Sequence, residues 1–497
     1  MSTPINLAVS AITSSSAILS WAIGQVTNPG GGGGEPSAGG FAAFLAQFLP
    51  EQTVPTWADR THTASPTATV NGSGTDGSPW TMEQARTLAV AGNIVGLMPG
   101  QWYGGTPPRP FGDPLRRLYP AFRPENSGTA SQPIWFVAQN PAATNTSGRT
   151  EIYSGSPDAW EGWPAFGSYG KNYIRFSGIY SDLNDPNGQN YVDTGLTSFR
   201  EGIGCSIHKC HLIGKQHPQN NNNAAVRIEG IVSGEIGDNK IEGFRGNTNN
   251  AGITLYRSMG ARIHHNDITD CFDAFHPKSK DSSFQFYGNK VYSCNQFARL
   301  LIPSYSGTAA EEGWIFNNTG NNLNKIIGMT TSDGPFRIDK VKVFNNTFNN
   351  IATANDPGAI YWSASPDSPR DNQFYNNIIH TAYAVFGSYR TYPGTAAEMA
   401  GFWTSDRNVF QGTTKFFNAG GLNAVTLAQW QAVGQDVNSV FANPSFTNRA
   451  SGDFTLQAGS PALGLGRDKL GMFGPVDGVI NAGARPTNSA EIIGIRG

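Results

Sequence analysis

The sequence predicts an all-β protein built as a single-stranded parallel β-helix, a coil of short strands. A short phrase recurs between about residues 173 and 410: an apolar residue, an Asn three positions later, and a second apolar residue two positions after that. Successive copies are 23 to 31 residues apart, a period that indicates a stacked repeat. No copy contains a helical pattern long enough to cover a sheet, which excludes leucine-rich and ankyrin-type repeats.

The phrase itself predicts two strands that meet at a polar corner. Its copies, each given as first apolar residue, Asn and second apolar residue, are Ile236, Asn239 and Ile241; Ile263, Asn266 and Ile268; Phe286, Asn289 and Val291; Val343, Asn346 and Phe348; and Phe374, Asn377 and Ile379. Upstream, Cys210 and Ser177 occupy the Asn position of the same frame. Because Asn tolerates left-handed backbone and can share amide hydrogen bonds, we expect the Asn side chains to stack along one corner.

Composition agrees with a turn-rich β protein and excludes several classes of partner. The chain of 497 residues contains 60 Gly and 31 Pro, and only 14% of its residues are charged. A formal charge of −2 provides no general attraction to nucleic acid or to anionic membranes. No run of 18 apolar residues is present, so no membrane insertion is expected. Phosphate-binding loops are absent too, and no cofactor is predicted.

Four cysteines bear on the compartment in which the chain folds. Cys205, Cys210, Cys271 and Cys294 are predicted to be free and buried, since a free thiol packs as a small hydrophobe. Residues 1–21 lack the basic start and compact apolar core of a signal peptide. Together these features predict folding in a reducing cytoplasm.

The N-terminal region divides into an arm and a linker. Residues 3–21 resemble the first two strands of a fibronectin type III domain, so residues 1–29 are interpreted as an attachment arm, with a disordered remnant as the alternative. Residues 30–65 contain a Gly-rich linker and a short helix whose apolar face is formed by Phe41, Phe44, Leu45, Phe48 and Leu49. This helix is expected to cap the N-terminal end of the coil or to contact another subunit.

Both ends of the coil resemble the pectate-lyase-like superfamily of right-handed parallel β-helix proteins. The first match is Ala68–Trp80, followed by a helix that Thr81 and Gln84 can cap and by a first strand at Ile94–Met98. The second match runs from Leu427–Trp430 to an altered closing motif at Ala482–Ala484, followed by Arg485 and Pro486. The resemblance implies a right-handed coil at residues 66–425 and a closing segment at 426–497. It leaves the function open, because lyases, hydrolases, epimerases and phage tailspikes share this coil.

The resemblance to polysaccharide lyases implies a base beside cations that stabilise an enolate. When the strands are stacked, Arg257 and Lys278 are predicted to share one column on adjacent turns. The predicted catalytic residues are His276, Lys278, Arg257 and Asp273. The predicted substrate-binding residues are Tyr256, Lys280, Arg299, Glu311, Tyr361 and Trp362. The alternatives are an ordinary solvated face of the coil and a His276 side chain that points into the core.

No metal site is predicted. His208 and His211, and His264 and His265, do not have the spacing of zinc ligands. The carboxylates do not form a calcium loop.

Three functions remain after these exclusions. The first is a virion-associated tail fibre or tailspike, assembled in the host cytoplasm, that binds and could depolymerise a bacterial cell-surface polysaccharide. Such a protein is expected to be a homotrimer or a larger assembly held by the arm. The second is an extracellular polysaccharide lyase or glycoside hydrolase that acts on an acidic glycan. The third is a structural adhesin without enzymatic activity.

Overall fold

A computed structural model describes most of the chain after residue 50. The described residues are 51–103, 119–143, 145, 147–153, 164–183, 195–214, 223–246, 249–278, 283–302, 310–331, 338–351, 358–362, 371–381, 384–388, 394–419, 425–468 and 478–484. The predicted arm, the linker, the Phe41–Leu49 helix, Lys280 and Arg485 therefore lie outside the described residues.

Three parallel sheets run along the coil, and each strand pairs with its equivalent in the next turn. The first sheet contains His62–Ala64, Ile94–Leu97, Ile134–Ala138, Ile174–Ser177, Ser206–His208, Glu235–Gly237, Arg262–His264, Gln285–Tyr287, Trp314–Phe316, Lys342–Phe344, Asn372–Tyr375 and Trp403–Asp406. The second contains Gly100–Tyr103, Thr150–Tyr153, Tyr180–Asp182, His211–Ile213, Lys240–Glu242, Asp267–Thr269, Lys290–Tyr292, Thr319–Leu323, Thr347–Ile351, Ile378–Thr381, Val409–Gln411 and Val440–Phe441. The third contains Phe166–Tyr169, Thr197–Ile203, Ala224–Val232, Ala251–Tyr256, Asp273–Pro277, Gln296–Ile302, Lys325–Thr331, Ile360–Trp362, Ala384–Ser388 and Lys415–Ala419. The prediction of a parallel β-helix is confirmed, and the coil is right-handed.

Little other regular structure is present in the described residues. The helices are Met82–Leu88, Ala396–Ala400 and Leu427–Ala432, with single 3₁₀ turns at Trp57–Asp59 and Arg449–Ser451. Short two-stranded ladders pair Ala310–Glu311 with Ile338–Asp339, Phe446–Asn448 with Asp453–Leu456, and Gly466–Asp468 with Gly478–Ile480. None of the described helices is long and apolar enough to cross a membrane.

The predicted Asn stack forms the corner between the first and second sheets. It runs without a break through Asn239, Asn266, Asn289, Asn318, Asn346, Asn377 and Asn408, and each of the first six donates its side-chain amide to Oδ1 of the next. The expected left-handed backbone, however, belongs to the residue before each Asn, such as Asp238 at φ 57° and Asn317 at φ 54°. The placement of Ser177 was wrong as well, because Ile179, whose backbone N–H lies 3.4 Å from Cys210 Sγ, holds the corner position below Cys210.

The interior of the coil is a continuous apolar core. Equivalent residues stack from turn to turn, as Ile207, Ile236 and Ile263 do in the first sheet. All four cysteines are free and buried, as predicted, and the Cys271 backbone N–H lies 3.4 Å from Cys294 Sγ in the next turn.

The segments at the two ends of the core are those that the sequence analysis identified by their resemblance to the pectate-lyase-like superfamily. Thr81 and Gln84 form the predicted capping box on Met82–Leu88, whose Ala85 belongs to the core. The first strand is His62–Ala64 rather than the predicted Ile94–Met98, and the two pair in parallel. At the other end Trp430 is fully buried and donates Nε1–H to Asp436 (2.8 Å), which also accepts the amide of Asn408 and so ends the Asn stack.

Candidate functional site

The outer surface of the third sheet carries most of the predicted site residues. Along each strand, core residues such as Ile253, Leu255 and Phe275 alternate with residues that project outward. The register places Thr254 beside His276, and the next outward residue of each strand is Tyr256 or Lys278. We call this outer surface, from the turn of Arg200 to the turn of Tyr361, the sheet-3 face.

A buried carboxylate lies at the centre of the sheet-3 face. Asp273 Oδ2 is 3.6 Å from Arg299 Nη1 and 3.6 Å from His276 Nδ1. Asp273 is 0% exposed and His276 is 1% exposed. Neither carboxylate oxygen and neither ring nitrogen has a hydrogen-bond partner in the structure. His276 therefore lies on the outer side of the strand but beneath the surface, and it does not point into the core.

Burial dominates the protonation of this pair. It raises the pKa of the Asp273 carboxyl to about 7, although the positive charge of Arg299 opposes the change. Burial, reinforced by Arg299 and Lys278, holds the pKa of His276 well below its usual value. The imidazole is therefore neutral near pH 7, whereas the carboxyl is poised between its two forms.

Lys278 and Tyr256 lie beside each other on neighbouring turns. The register pairs Leu255 with Pro277, and the Lys278 N–H donates to the Leu255 carbonyl, so Lys278 lies one position away from Arg257. The predicted shared column of Arg257 and Lys278 was wrong by one residue, because the register places Lys278 beside Tyr256, the residue before Arg257. The Lys278 ammonium lies 5.3 Å from the centroid of the Tyr256 ring.

Arg257 belongs to a separate ion cluster at one edge of the face. Glu229 accepts from Arg257 and Arg200 at 2.5 Å and from Arg227 at 3.1 Å. Burial favours the protonated form of Glu229, but the three guanidinium groups outweigh it and keep its pKa below the usual value. Arg227 also stacks on the Tyr256 ring, with 4.1 Å from Cζ to the ring centroid.

Sequence reasoning missed Lys325, which lies on the other side of Asp273. The register places Lys325 beside Gln296 and Gln296 beside Asp273, in one column. The Lys325 ammonium lies 4.4 Å from the centroid of the Tyr361 ring. Gly328 is the residue beside Tyr361 in the register, and its lack of a side chain leaves room for the ring. A Cβ at Gly328 would lie 2.6 Å from Tyr361 Cε1. The same stacking of strand sequences that selected Arg257 could have found Lys325, had the strand after Gln296–Ile302 been included.

The other predicted substrate-binding residues cannot be assigned to the sheet-3 face by their side chains. Glu311 belongs to the short two-stranded ladder with Ile338–Asp339. Trp362 pairs with Met329 in the third sheet. The side chains of Glu311 and Trp362, like the whole of Lys280, lie outside the described part of the chain.

The sheet-3 face can therefore hold a negatively charged, ring-shaped ligand. Among the described residues its cations are Arg200, Arg227, Arg257, Lys278, Arg299 and Lys325, and its carboxylates are Glu201, Glu229 and Asp273. Cations outnumber carboxylates, and the partly exposed Tyr256 ring lies among them. A pyranose ring that carries a carboxylate combines the apolar faces and the charge that such a surface recognises.

Comparison with solved structures agrees with the architecture of this coil. Pectate lyase Pel9A superposes with a TM-score of 0.52 over 88% of this chain and 98% of its own length, at 12% sequence identity. The protein has the pectate-lyase-like β-helix fold. At this identity the likeness establishes the fold and leaves the reaction open.

Other structures similar to this pectate-lyase-like β-helix have different functions. The Dettilon tailspike protein matches 67% of this chain and 60% of its own, with a TM-score of 0.39 and 15% identity. PfbA, a surface adhesin of Streptococcus pneumoniae, matches 67% of this chain and 86% of its own, with a TM-score of 0.38 and 10% identity. No protein-family model and no curated protein matches the sequence.

Proposed function

We propose that this protein binds an acidic polysaccharide along the sheet-3 face. The observation that carries the proposal is the arrangement of Lys278, Arg299 and Lys325 on three consecutive turns around Asp273. Consecutive turns are separated by about 4.8 Å, close to the length of one sugar residue. The register offsets Arg299 from Lys278 by two residues and Lys325 from Arg299 by three, so an extended glycan that crosses the strands obliquely can meet a cation at each turn, while Tyr256 provides an apolar contact.

The buried pair of Asp273 and His276 supports this surface from below. Arg299 is only 12% exposed at its side chain and faces the Asp273 carboxylate. The carboxylate helps to fix the orientation of the guanidinium beneath the surface that the glycan would contact. In this role Asp273 and His276 are positioning residues.

A binding assay with matched charge variants tests the proposal. The variant Lys278→Ala/Lys325→Ala removes two cations from the sheet-3 face, and Lys240→Ala/Lys290→Ala removes two exposed lysines from the second sheet. Titration calorimetry with polygalacturonate should show binding at least about tenfold weaker for the first variant and unchanged for the second. The difference should grow at low salt, where charged contacts are least screened. Equal losses in both variants, or equal binding of neutral dextran, would refute the proposal.

The Asp273 carboxyl favours a second function, cleavage of the same glycan by β-elimination. A base with a pKa of about 7 suits removal of the proton α to a uronic carboxylate, and Arg299 can neutralise the enolate that forms. The C5 proton passes to Asp273, the electron pair forms the C4=C5 double bond as the C4–O bond breaks, and the leaving oxygen takes a proton from water. This step requires the glycan to reach a carboxyl that is inaccessible in the structure.

The two functions are separated by one further variant. If the protein is a lyase, wild-type protein releases a product with the ultraviolet absorbance of an unsaturated uronate, and Asp273→Asn stops release while binding remains. If the protein only binds, no such product forms from any acidic glycan that binds at the sheet-3 face.

The biological setting extends the proposal to a virion-attached tail fibre or tailspike that recognises a host surface glycan. The support comes from the sequence of the N-terminal region, where a fibronectin-like arm precedes a Gly-rich linker. The expected results are a homotrimer by light scattering and co-purification with phage particles that depends on residues 1–40. A monomer that is absent from particles would favour an extracellular lyase, hydrolase or adhesin instead.

A further inference from the structure

A second cluster of polar side chains lies on the outer surface of the first sheet, away from the sheet-3 face. The strand Arg262–His264 ends there, and His265 follows at the corner with φ 54°. Residues 51 and 52 cross this surface and are held by three hydrogen bonds. Tyr287 donates its hydroxyl to Glu51 Oε1 (2.8 Å), the Gln52 N–H donates to Glu235 (3.1 Å), and Ser206 donates to the Gln52 side chain (2.8 Å).

These contacts bring three potential metal ligands together. His264 Nδ1 is 3.0 Å from His265 Nδ1 and 3.9 Å from Glu51 Oε1. One ligand atom from each of the three residues lies within 4.8 Å of the others. Tetrahedral zinc with bonds of about 2.0–2.2 Å places its ligand atoms roughly 3.3 Å apart, so small side-chain rotations bring all three atoms into coordination.

A second carboxylate sets the tautomer that coordination requires. Glu235 Oε1 lies 3.1 Å from His264 Nε2, and Arg262 and the Gln52 N–H also contact Glu235. An ionised Glu235 accepts a hydrogen bond from Nε2–H, which leaves the lone pair of His264 on Nδ1, directed toward His265 and Glu51. A carboxylate that orients a ligating imidazole in this way is a regular feature of metal sites in proteins.

We propose that Glu51, His264 and His265 bind one divalent transition-metal ion, with Zn²⁺ as the best match. Two imidazoles and one carboxylate suit Zn²⁺ and its neighbours better than Ca²⁺ or Mg²⁺, which prefer oxygen ligands. Three protein ligands leave a fourth position for water. The ion links Glu51 to the first sheet and so fastens the chain that leads into the coil.

Cobalt provides a probe whose signal reports coordination directly. Wild-type protein, first stripped with a chelator, should bind about one equivalent of Co²⁺ and develop the visible absorption of a four- or five-coordinate site. His265→Asn should lose this signal without unfolding, because Asn317, Asn345 and Asn376 occupy the equivalent left-handed position on other turns. Glu51→Gln should weaken binding at least tenfold.

The control is a histidine–glutamate pair that has no third potential ligand among the described residues. His211 Nε2 lies 2.6 Å from Glu242 Oε1 on the second sheet, so His211→Gln removes a partly exposed imidazole elsewhere on the coil. This variant should bind Co²⁺ as wild type does. The proposal is overturned if wild-type protein binds no Co²⁺ at 100 µM, if His265→Asn binds as well as wild type, or if His211→Gln loses the same signal.

Discussion

Asn239 donates its side-chain amide to Oδ1 of Asn266, one turn further along the coil, over 2.9 Å, and the same oxygen accepts the Asn239 backbone N–H at 3.0 Å. The amide of Asn239 also donates to the Ile207 carbonyl in the preceding turn, at 3.1 Å. Each Asn therefore joins three consecutive turns. Because every group in the stack is buried and paired, loss of one member leaves partners unsatisfied on both sides.

Asn289→Leu should consequently be strongly destabilising. The substitution removes the acceptor of the Asn266 backbone N–H and of one amide hydrogen of Asn266. It also removes the amide that donates to the Ile263 carbonyl and to Asn318 Oδ1, which keeps only the backbone N–H of residue 289. At about 1–3 kcal/mol for each buried unsatisfied group, we expect a loss of at least about 3 kcal/mol in the free energy of unfolding, measured by denaturant titration. Asn324→Leu, at an exposed position that donates only to Asn295, is the control and should change stability little.

The corner also makes a prediction about the residue before each Asn position. Lys209 is exposed and has φ 52°, which costs a residue with a Cβ about 1–2 kcal/mol. Lys209→Gly should therefore leave stability unchanged or raise it slightly, whereas the β-branched Lys209→Val should lower it by about 1 kcal/mol or more. Thermal melts of the two variants measure the difference. The control is Lys240→Val, at an exposed strand position, which should not be destabilising. Equal losses of stability in Lys209→Val and Lys240→Val would show that the backbone of residue 209 is not the cause.

Burial of Asp273 predicts a specific dependence of stability on pH. Its pKa rises from 3.8 to about 7 on folding, so the folded protein holds the proton more tightly than the unfolded chain does. The contribution of Asp273 to stability is complete below pH 4, decreases as the pH rises to about 7, and is constant above that. Because the amide does not titrate, wild type should lose up to about 4 kcal/mol relative to Asp273→Asn over this range.

The same measurement on Glu235 should show the opposite sign. Hydrogen bonding from His264 and the charge of Arg262 outweigh burial and lower the pKa of Glu235 to about 2. Its stabilising contribution is therefore complete above about pH 4.5 and is lost as the pH falls toward 2. Unfolding curves for wild type and Glu235→Gln, collected over this pH range with a chelator present, would test this. If the stability of Glu235→Gln and of Asp273→Asn, each relative to wild type, changed with pH in the same direction, both assignments would be contradicted.

The four buried thiols should be chemically inert in the folded protein. Burial raises the pKa of Cys210 to about 12 and that of Cys271 well above its usual value, so the reactive thiolate is scarce near neutral pH. Mass spectrometry after iodoacetamide treatment should find no modified cysteine in native protein and four in denaturant. Reducing agent should not change the melting temperature, because no disulfide is present for it to break.

The fold could be predicted from the sequence because the repeating phrase describes its own geometry. In each copy, two apolar residues such as Ile236 and Ile241 point into the core, and an Asn such as Asn239 lies at the corner between them. Each further copy stacks on the one before it. The same logic found the free cysteines and the capping box of Thr81 and Gln84. It was inaccurate at Ser177, at the left-handed residue before each Asn, at the first strand and in the column of Arg257 and Lys278.

The sequence by itself thus determined the coil, its Asn corner, its core and the face on which Lys278, Arg299 and Tyr256 lie, because these follow from local periodicity. Only the tertiary structure decided which side chains meet. Arg257 lies one position outside the column of Lys278 because the register places Lys278 beside Tyr256, and Lys325 joins the column of Asp273 through the register of the two following strands. Glu51 reaches His264 and His265 because residues 51 and 52 cross the first sheet, a contact between residues far apart in the chain that no spacing of histidines could reveal.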